Sequence, residues 1–380
     1  MKSIRWLVVV TFITSAILLY IPINTKALGP VSASSAILME QQSGRILYEK
    51  EAHEVRRIAS ITKIMTAILA IESGKLNDSV KVTENAVRAE GSSIYLKPGE
   101  TIKLEDLVYG MMLRSGNDSA VAIAEHVGGS LEGFVYLMNQ KASEIGMDQT
   151  HFANPHGLDD HEDHYSTAYD MALLTRYAMS NDTYKLISGT KVHRAPNPTE
   201  NWDRVWKNKN RLLTELYDYT TGGKTGYTKR AKRTLVTTAT KGDLNLIAVT
   251  LNGPDDWNDH INMYENGFHN FELVKVLKKG IIKEVEDALY KKKVYIKQDI
   301  LYPITKEERD IFRVEFKLQE FKKEWRDLDK EPDMVGKALI YFEEQQIKEV
   351  PLYYRKTKSK EDQSFMDYIK SIFFIHLGVK

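Results

Sequence analysis

The chain has 380 residues and a formal net charge of +1, with 42% hydrophobic and 28% charged residues. A chain of this length exceeds what one hydrophobic core usually supports, so two compact domains are expected. The balanced charge gives no electrostatic case for binding nucleic acid, and the absence of cysteine excludes disulfides, thiolate metal ligands and a cysteine nucleophile.

The N-terminus has the pattern of a secretory signal peptide. Lys2 and Arg5 precede an apolar run from Trp6 to Ile23, and Thr25-Lys26-Ala27 then places small residues at the usual positions of a cleavage site. We therefore expect residues 1–27 to be removed and the protein to be exported to the outer face of a bacterial membrane. The apolar run is barely long enough to span a bilayer, which leaves an uncleaved anchor as the alternative.

The first part of the chain predicts a hairpin followed by helices. Two short apolar runs around Gln41-Gln42-Ser43-Gly44 predict a β-hairpin. Apolar residues at helical spacing follow Ser60 and stop before Gly74, and further helices are predicted at 104–113 and 120–127. The segment from 197 to 219 has no clear period.

Strand patterns return after the helices. β-branched runs at 234–239 and 244–251 flank a Lys-Gly-Asp turn and predict two paired strands, while 261–276 again has helical spacing. Strands at both ends with helices between them predict an α+β domain, in which a helical cluster is inserted into an antiparallel sheet. We place this domain at residues 28–278.

After about Lys279 the sequence changes to short segments in which apolar and polar residues alternate. They predict a small all-β domain at residues 279–358. Beyond it, an apolar stripe of Phe365, Ile369 and Phe373 among lysines predicts an amphipathic helix at 359–380 that lies on a membrane surface. Packing of that helix against the protein itself is the alternative.

Ser60-Ile61-Thr62-Lys63 can place a nucleophile beside a base. If Ser60 begins a helix, Lys63 lies on the same face, where its amine can reach the Ser60 hydroxyl. The amine must be partly neutral to accept a proton, which requires a pKa lowered by burial or by a nearby positive charge such as Lys224. An isolated motif of this kind is usually a helix cap and a solvated lysine, so the prediction depends on two further motifs.

The second motif is Ser115-Gly116-Asn117, in the turn between two predicted helices. The Ser115 hydroxyl can relay a proton between Lys63 and a leaving-group nitrogen, and the Asn117 amide can hold the substrate backbone. An ordinary turn with a cap is the alternative interpretation.

The third motif is Lys224-Thr225-Gly226, which opens a predicted strand. Lys224 supplies positive charge, Thr225 can bond a carboxylate, and Gly226 lets backbone approach a bound peptide closely. Backbone N–H groups of Ser60 and Tyr227 could form an oxyanion hole. The three motifs in this order predict a serine acyl-transfer enzyme, with Ser60 as nucleophile and Lys63 as base.

The chain resembles the low-molecular-mass penicillin-binding proteins, the serine-type D-alanyl-D-alanine carboxypeptidases, over essentially its whole length. Besides the three motifs, four segments carry the resemblance: 57–66, 113–118, 154–158 and 165–172. The resemblance implies a domain of the β-lactamase/transpeptidase type, an all-β stalk and a C-terminal helix that touches the membrane.

The resemblance also implies an activity. Such a protein removes the terminal D-alanine from peptidoglycan stem pentapeptides through an acyl-Ser60 intermediate, is acylated by β-lactams at Ser60, and needs no cofactor. Within the family the chain looks most similar to sporulation-associated members, which trim cortex peptidoglycan, so a forespore envelope location is also expected.

Two positions depart from the family's pattern. Tyr227 stands where many members carry histidine, and no arginine occurs between Gly253 and Phe268, where one often helps bind the terminal carboxylate. Carboxylate binding is therefore expected from Thr225, from Lys224 or from a residue that the sequence does not identify.

The loop at 154–164 contains three histidines and four acidic residues, which suit a divalent metal by ligand type. Their spacing fits no helical zinc motif, so we predict no metal. We expect a solvated loop over the active site, with His156 and Asp170 as ordering residues.

Two other functions stay open on the sequence. A serine β-lactamase shares the fold and the nucleophile, but it needs a deacylating water that a glutamate commonly places. Glu162 is the only glutamate between Phe152 and Ala195, and the residues after it do not resemble the β-lactamase signature. A penicillin-binding receptor, whose acyl-enzyme barely turns over, would keep the same motif side chains.

Overall fold

The computed structural model describes residues 29–197, 200–287, 289–309, 311–320 and 333–355. The predicted signal peptide and the predicted C-terminal helix lie outside these residues. The chain divides into two units, with the boundary between Phe271 and Glu272. No helix within the described ranges is long and apolar enough to cross a membrane.

The first unit combines strands and helices. Its strands are β1 (Ser35–Glu40), β2 (Ile46–Lys50), β3 (Ser79–Lys81), β4 (Thr101–Lys103), β5 (Val192–Ala195), β6 (Arg204–Lys207), β7 (Thr220–Thr228), β8 (Lys232–Lys241) and β9 (Leu244–Leu251). Its helices are α1 (Lys63–Glu72), α2 (Glu84–Val87), α3 (Leu104–Arg114), α4 (Asn117–Gly128), α5 (Leu131–Glu144), α6 (Ala168–Ala178), α7 (Asp182–Ser188) and α8 (Asp256–Asn270).

The main sheet is antiparallel and has the strand order β2-β1-β9-β8-β7. Every residue of β1 is buried, as is most of β9, because helices α6 and α8 pack on these strands. The β-branched residues of β8 and β9 suit such a buried, pleated surface. Strands from both ends of the unit thus meet in one sheet, and the predicted α+β class is confirmed.

Helix α1 forms the centre of the helical cluster. All but the last of its ten residues are buried, and it contacts α3, α4 and α6. The sequence predicted that a helix begins at Ser60, but the regular helix begins three residues later, at Lys63. Residues Ala59–Thr62 form a 3-10 turn before it. Ala59 has a φ of 49°, a left-handed conformation that an α-helix cannot include.

The predicted helix at 261–276 is wrong at its C-terminal end. Helix α8 ends at Asn270, and β10 (Glu272–Leu277) pairs instead with β13 (Ile300–Ile304). The two valines of β10 suit a strand once that partner is present. The domain boundary predicted after residue 278 therefore falls one strand too late.

The second unit is all-β apart from one 3-10 turn among the residues described. Besides β10 and β13 it contains β11 (Gly280–Ile281), β12 (Val294–Ile296), β14 (Phe312–Leu318), β15 (Met334–Phe342) and β16 (Gln345–Tyr354). These form a sheet in the order β11-β12-β16-β15-β14. A separate core, which includes Tyr290, Val294 and Leu352, is buried in this unit.

Candidate active site

Ser60 and Lys63 meet where the 3-10 turn enters α1. The Lys63 Nζ lies 3.0 Å from the Ser60 Oγ. The Ser60 residue is half-buried, whereas Lys63 is fully buried in the floor of the site. A ligand can therefore reach the hydroxyl, while water is largely kept from the amine.

The other two contacts of the Lys63 amine define its chemistry. Its Nζ lies 2.7 Å from the Asn117 Oδ1 and 2.6 Å from the backbone oxygen of His156. Both oxygens can only accept hydrogen bonds. A neutral amine has two N–H donors for them, which leaves its lone pair to accept the proton of the Ser60 hydroxyl. The arrangement therefore suits an amine that acts as a base.

Electrostatics favour the same neutral form. Burial and the positive charges of Lys224 and Lys209 hold the pKa of Lys63 well below its usual value, although Asp118 acts in the opposite direction. A lysine with a lowered pKa can take a proton near neutral pH.

Lys224 and Ser115 form a second lysine–serine pair beside the first. The Lys224 Nζ lies 3.0 Å from the Ser115 Oγ and donates to the backbone oxygen of Thr225 at 2.7 Å. Burial, together with the charge of Lys209, lowers the pKa of Lys224 to about 7. Ser115 has a φ of 65°, which ends α3 and lets α4 begin two residues later at Asn117. The turn between the helices thus brings both motif side chains to the lysines.

Asn117 contacts more of the protein than expected. Besides the bond to Lys63, its Nδ2 donates to the backbone oxygen of Glu90, and its backbone N–H donates to the oxygen of Ser92. One N–H of the amide remains for the predicted contact with a substrate backbone. Asn117 therefore links the Lys63 amine to the loop at residues 90–92.

Gly226 lies where β7 touches the 3-10 turn Ala59–Thr62, which is called the nucleophile turn here because it carries the predicted nucleophile Ser60. A Cβ at this position would come within 2.4 Å of the Thr234 Oγ1 and 2.9 Å of the Ser60 backbone nitrogen. The glycine is therefore needed for packing inside the protein itself. Thr225 next to it is half-buried, and the Tyr227 side chain is 63% exposed.

The two predicted ordering residues act in different places. His156 contributes its backbone oxygen to Lys63, while burial lowers the pKa of its imidazole to about 3. Asp170 lies in the first turn of α6, where its carboxylate accepts from the backbone of Gln149 and the hydroxyl of Thr150. It therefore anchors the entry of the loop, whereas His156 contacts the Lys63 amine.

His164 supports the nucleophile turn, a role that the sequence did not indicate. Its Nδ1 accepts the backbone N–H of Ala153, so its Nε2 carries the proton and donates to the Thr62 Oγ1 at 2.8 Å. The Thr62 hydroxyl in turn donates to the backbone oxygen of Ala59. This chain of hydrogen bonds holds the turn from the loop side.

Lys209 is the main residue of the site that the sequence did not identify. Its backbone N–H donates to the oxygen of Leu113, and its Nζ lies 3.4 Å from the Ser92 Oγ. Its charge helps to lower the pKa of both Lys63 and Lys224. A third positive group therefore stands beside the two motif lysines.

Glu162 is occupied by two arginines. Its Oε2 accepts from Arg57 at 2.6 Å and from Arg230 at 2.8 Å, and its Oε1 accepts from Arg230 at 2.7 Å. Arg230 and Arg57 hold the pKa of this carboxyl below its usual value. A carboxylate held in this way is poorly suited to activate a deacylating water.

Among the residues described, no cluster of three or more histidine and acidic side chains could hold a metal.

Gly157 provides a test of how closely the loop fits the nucleophile turn. Its φ is +86°, and an added Cβ would lie 1.9 Å from the Ala59 backbone oxygen. We expect Gly157→Ala to displace the turn and to slow, about 100-fold, the acylation of Ser60 by a fluorescent penicillin that the resemblance implies. Gly146→Ala is the matched control, because Gly146 has a φ of +79° but open space around it. Equal labelling rates for the two variants would contradict the prediction.

Comparisons with known proteins show which family the chain matches. Residues 23–255 match the D-alanyl-D-alanine carboxypeptidase family, and residues 271–360 match the C-terminal domain of penicillin-binding protein 5. The chain is 38% identical over 257 residues to D-alanyl-D-alanine carboxypeptidase DacF of Bacillus subtilis, and 38% identical over 262 residues to DacC of Escherichia coli. Each match covers 65% of this chain, and the chain spans 65% and 64% of the lengths of these two relatives.

Solved structures show the same fold. Penicillin binding protein 5 from Haemophilus influenzae matches with a TM-score of 0.69 and 27% identity, over 86% of this chain and 98% of that one. A mutant of the Streptomyces K15 DD-transpeptidase matches with a TM-score of 0.60 and 30% identity, over 63% of this chain and 99% of that one.

Proposed function

Because the chain belongs to the D-alanyl-D-alanine carboxypeptidase family, we propose that it removes the terminal D-alanine from peptidoglycan stem pentapeptides through an acyl-Ser60 intermediate. One observation carries the proposal most strongly. The buried Lys63 amine lies between two obligate acceptors and the Ser60 hydroxyl, so that its neutral form can only accept a proton from Ser60.

In the proposed reaction, the Ser60 Oγ attacks the carbonyl carbon of the penultimate D-alanine while Lys63 takes its proton. Ser115, which is hydrogen-bonded to Lys224, relays this proton from Lys63 to the leaving nitrogen, and the C–N bond breaks. Water then hydrolyses the ester and restores Ser60. A β-lactam would acylate Ser60 in the same way.

The carboxylate of the leaving D-alanine needs a positive partner in this scheme. Lys224 and Thr225 were expected from the sequence, and Lys209 adds a charge that is more open to solvent. We expect Lys209→Gln to raise KM for a D-Ala-D-Ala peptide about tenfold, because a charge-assisted contact is lost. Lys81→Gln, which changes an exposed lysine on β3, is the control.

Lys209→Gln should also move the pH profile of kcat/KM to higher pH. Lys224 must be protonated to attract a carboxylate, so kcat/KM should fall as the pH rises above about 7. Removing the charge of Lys209 raises the pKa of both Lys224 and Lys63, so both limbs of the profile should move to higher pH. A KM and a pH profile that match those of the wild type would rule out this role for Lys209.

The test of the whole proposal is to mix the purified protein with diacetyl-L-Lys-D-Ala-D-Ala, with and without penicillin, and to follow D-alanine and protein mass. Penicillin-sensitive release of D-alanine with a long-lived adduct supports the carboxypeptidase. Rapid loss of the adduct with hydrolysed penicillin would instead indicate a β-lactamase. A stable adduct without release of D-alanine would indicate a receptor.

Export, membrane association through residues 359–380 and a role in spore cortex synthesis remain predictions from the sequence and the resemblance. The predicted membrane contact can be checked by comparing vesicle binding of the full chain with that of a chain ending at residue 358.

A further inference from the structure

A row of apolar and aromatic side chains crosses four strands of the second unit's sheet. The register pairs its members directly with one another, in the order Ile281, Tyr295, Tyr353 and Met334. Residues that are directly paired in a sheet point to the same face, so the four side chains share one face. The opposite face belongs to the core, because Val294 and Ile296 on either side of Tyr295 are buried. We call the four residues the outer row.

The outer row is open to solvent at both of its ends. Ile281 is 40% exposed and Met334 is 50% exposed. Between them Tyr295 and Tyr353 are half-buried, and the centroids of their rings lie 5.7 Å apart. Two aliphatic side chains and two aromatic rings therefore form one patch. An exposed apolar patch with a charged rim is typical of an interaction surface.

Two cations flank the tyrosines of the outer row. Lys297 follows Tyr295 by two residues, and its Nζ lies 3.7 Å from the centroid of the Tyr353 ring. Arg355 follows Tyr353 by two residues, so strand alternation places it on the same face. Its backbone N–H donates to the oxygen of Lys293 at 2.7 Å, which extends the pairing of β12 with β16 by one step. Because β12 and β16 are antiparallel, the row has a positive residue on each side.

The charge of these two residues is not offset by ion pairs. Elsewhere in the same sheet, Lys337 pairs with Glu349 at 2.8 Å. Lys297 and Arg355 are exposed, and neither forms an ion pair with a carboxylate of the residues that the structure describes. The lysines at 291–292, in the turn before β12, are exposed as well. This end of the face is therefore positively charged.

The composition of this face matches an anionic membrane surface. Tyrosine and aliphatic side chains suit the boundary between lipid head groups and acyl chains, where an apolar body is buried and a polar tip stays wet. Lysine and arginine beside them can bind lipid phosphates. Each basic residue near an anionic leaflet strengthens attachment about fivefold.

The same charges disfavour two other occupants. A second copy of this face, related by a two-fold axis, would bring Lys297 and Arg355 against residues of equal sign. The chain after Arg355 begins with further basic residues, at 356, 358 and 360, so it is poorly suited to cover the row. On an anionic surface these lysines would instead add to the attraction.

We propose that the outer row and its flanking cations lie directly on an anionic membrane surface, so that the second unit is itself a lipid-binding module. The outer row enters the head-group region, while Lys297 and Arg355 contact lipid phosphates. This contact is additional to the helix expected at 359–380 and does not depend on the chemistry at Ser60. A unit that served only as a spacer would not touch lipid through this face.

The absence of cysteine in the chain allows a fluorophore to be attached at one chosen position. The full chain is labelled with a polarity-sensitive dye in two variants, Ile281→Cys and Val55→Cys. Val55 is the matched control, because it is 49% exposed and lies in the first unit. On addition of vesicles made of phosphatidylglycerol and phosphatidylcholine, the emission of the dye at residue 281 should shift to the blue. The emission of the dye at residue 55 should not change.

Charge variants of the full chain test the contact with lipid phosphates. Lys297→Gln combined with Arg355→Gln should weaken binding to the mixed vesicles about 25-fold, because two basic contacts are lost. Lys306→Gln combined with Lys348→Gln removes the same charge from exposed lysines outside the row. This control should change binding less than about twofold, since the attraction falls off within a Debye length.

A full chain that binds the mixed vesicles without a blue shift at residue 281 would overturn the proposal, because its membrane contact would lie elsewhere. Equal weakening by the two double variants, or no binding at all, would also contradict it. A shift of the same size with phosphatidylcholine alone would show that charge is not involved. A shift of that size with soluble polyphosphate would assign the face to a soluble polyanion and not to lipid. The charge variants decide the matter if Ile281→Cys does not fold.

Discussion

Replacing Ser60 with alanine is expected to lower kcat/KM for D-alanine release at least about 10⁴-fold. The Lys63 amine has no other hydroxyl among its contacts with the described residues, so no second nucleophile is ready to replace Ser60. The variant should also show no increase in mass after incubation with penicillin. Release of D-alanine and protein mass measure the two effects independently.

Ser73→Ala is the matched control for this variant. Ser73 caps the opposite end of α1 and is also half-buried, but its hydroxyl donates to the backbone oxygen of Ala70, away from the site. The control should keep both the activity and the adduct. A penicilloyl adduct that persists in Ser60→Ala would show that another side chain is acylated.

Lys63→Met should lower both D-alanine release and the rate of acylation by penicillin about 10³- to 10⁴-fold, because the general base is lost. Methionine keeps most of the length and volume of the buried side chain. Lys141→Met is a useful comparison, because Lys141 pairs with Glu72 and Glu144 on the surface and is not part of the site. A variant at Lys63 with near-normal acylation would eliminate its role as base.

Stability gives a second readout for Lys63. Because the pKa of this amine is lowered in the folded protein, the unfolded chain binds more protons between the folded pKa and the usual lysine value of 10.5. The free energy of unfolding contributed by Lys63 should therefore rise with pH through this window and be lost as the pH falls. Urea denaturation from neutral pH to about pH 10 should show wild type gaining stability relative to Lys63→Met. No change in that difference would show that Lys63 has an ordinary pKa.

The sequence predicted the architecture well where a local pattern was sufficient. Buried helices and β-branched strands have a clear period, and the three motifs in order led to the family that the match over residues 23–255 confirmed. Strand β10 was missed because its partner β13 begins more than twenty residues later, outside any local window. Only its pairing with β13 shows that this segment is a strand and not a continuation of helix α8.

The site was predictable in part. The structure brings Ser60, Lys63 and Lys224 together with Ser115 and Asn117, as the motifs suggested. Lys209 could not be found in this way, because its place depends on contacts with Leu113 and Ser92 from distant parts of the chain. The segment around it alternates buried asparagines with exposed lysines, a pattern that indicates neither a typical helix nor an apolar strand.

The left-handed Ala59 is held by segments that are far apart in the sequence. Thr234 donates its hydroxyl to the oxygen of Ile58, Gly226 packs on the backbone of Ser60, and Gly157 lies directly against Ala59. A newly made or partly unfolded chain lacks these supports, and its Ser60 would be an ordinary serine alcohol. If the proposed function is correct, labelling by penicillin would therefore report completed folding of the first unit.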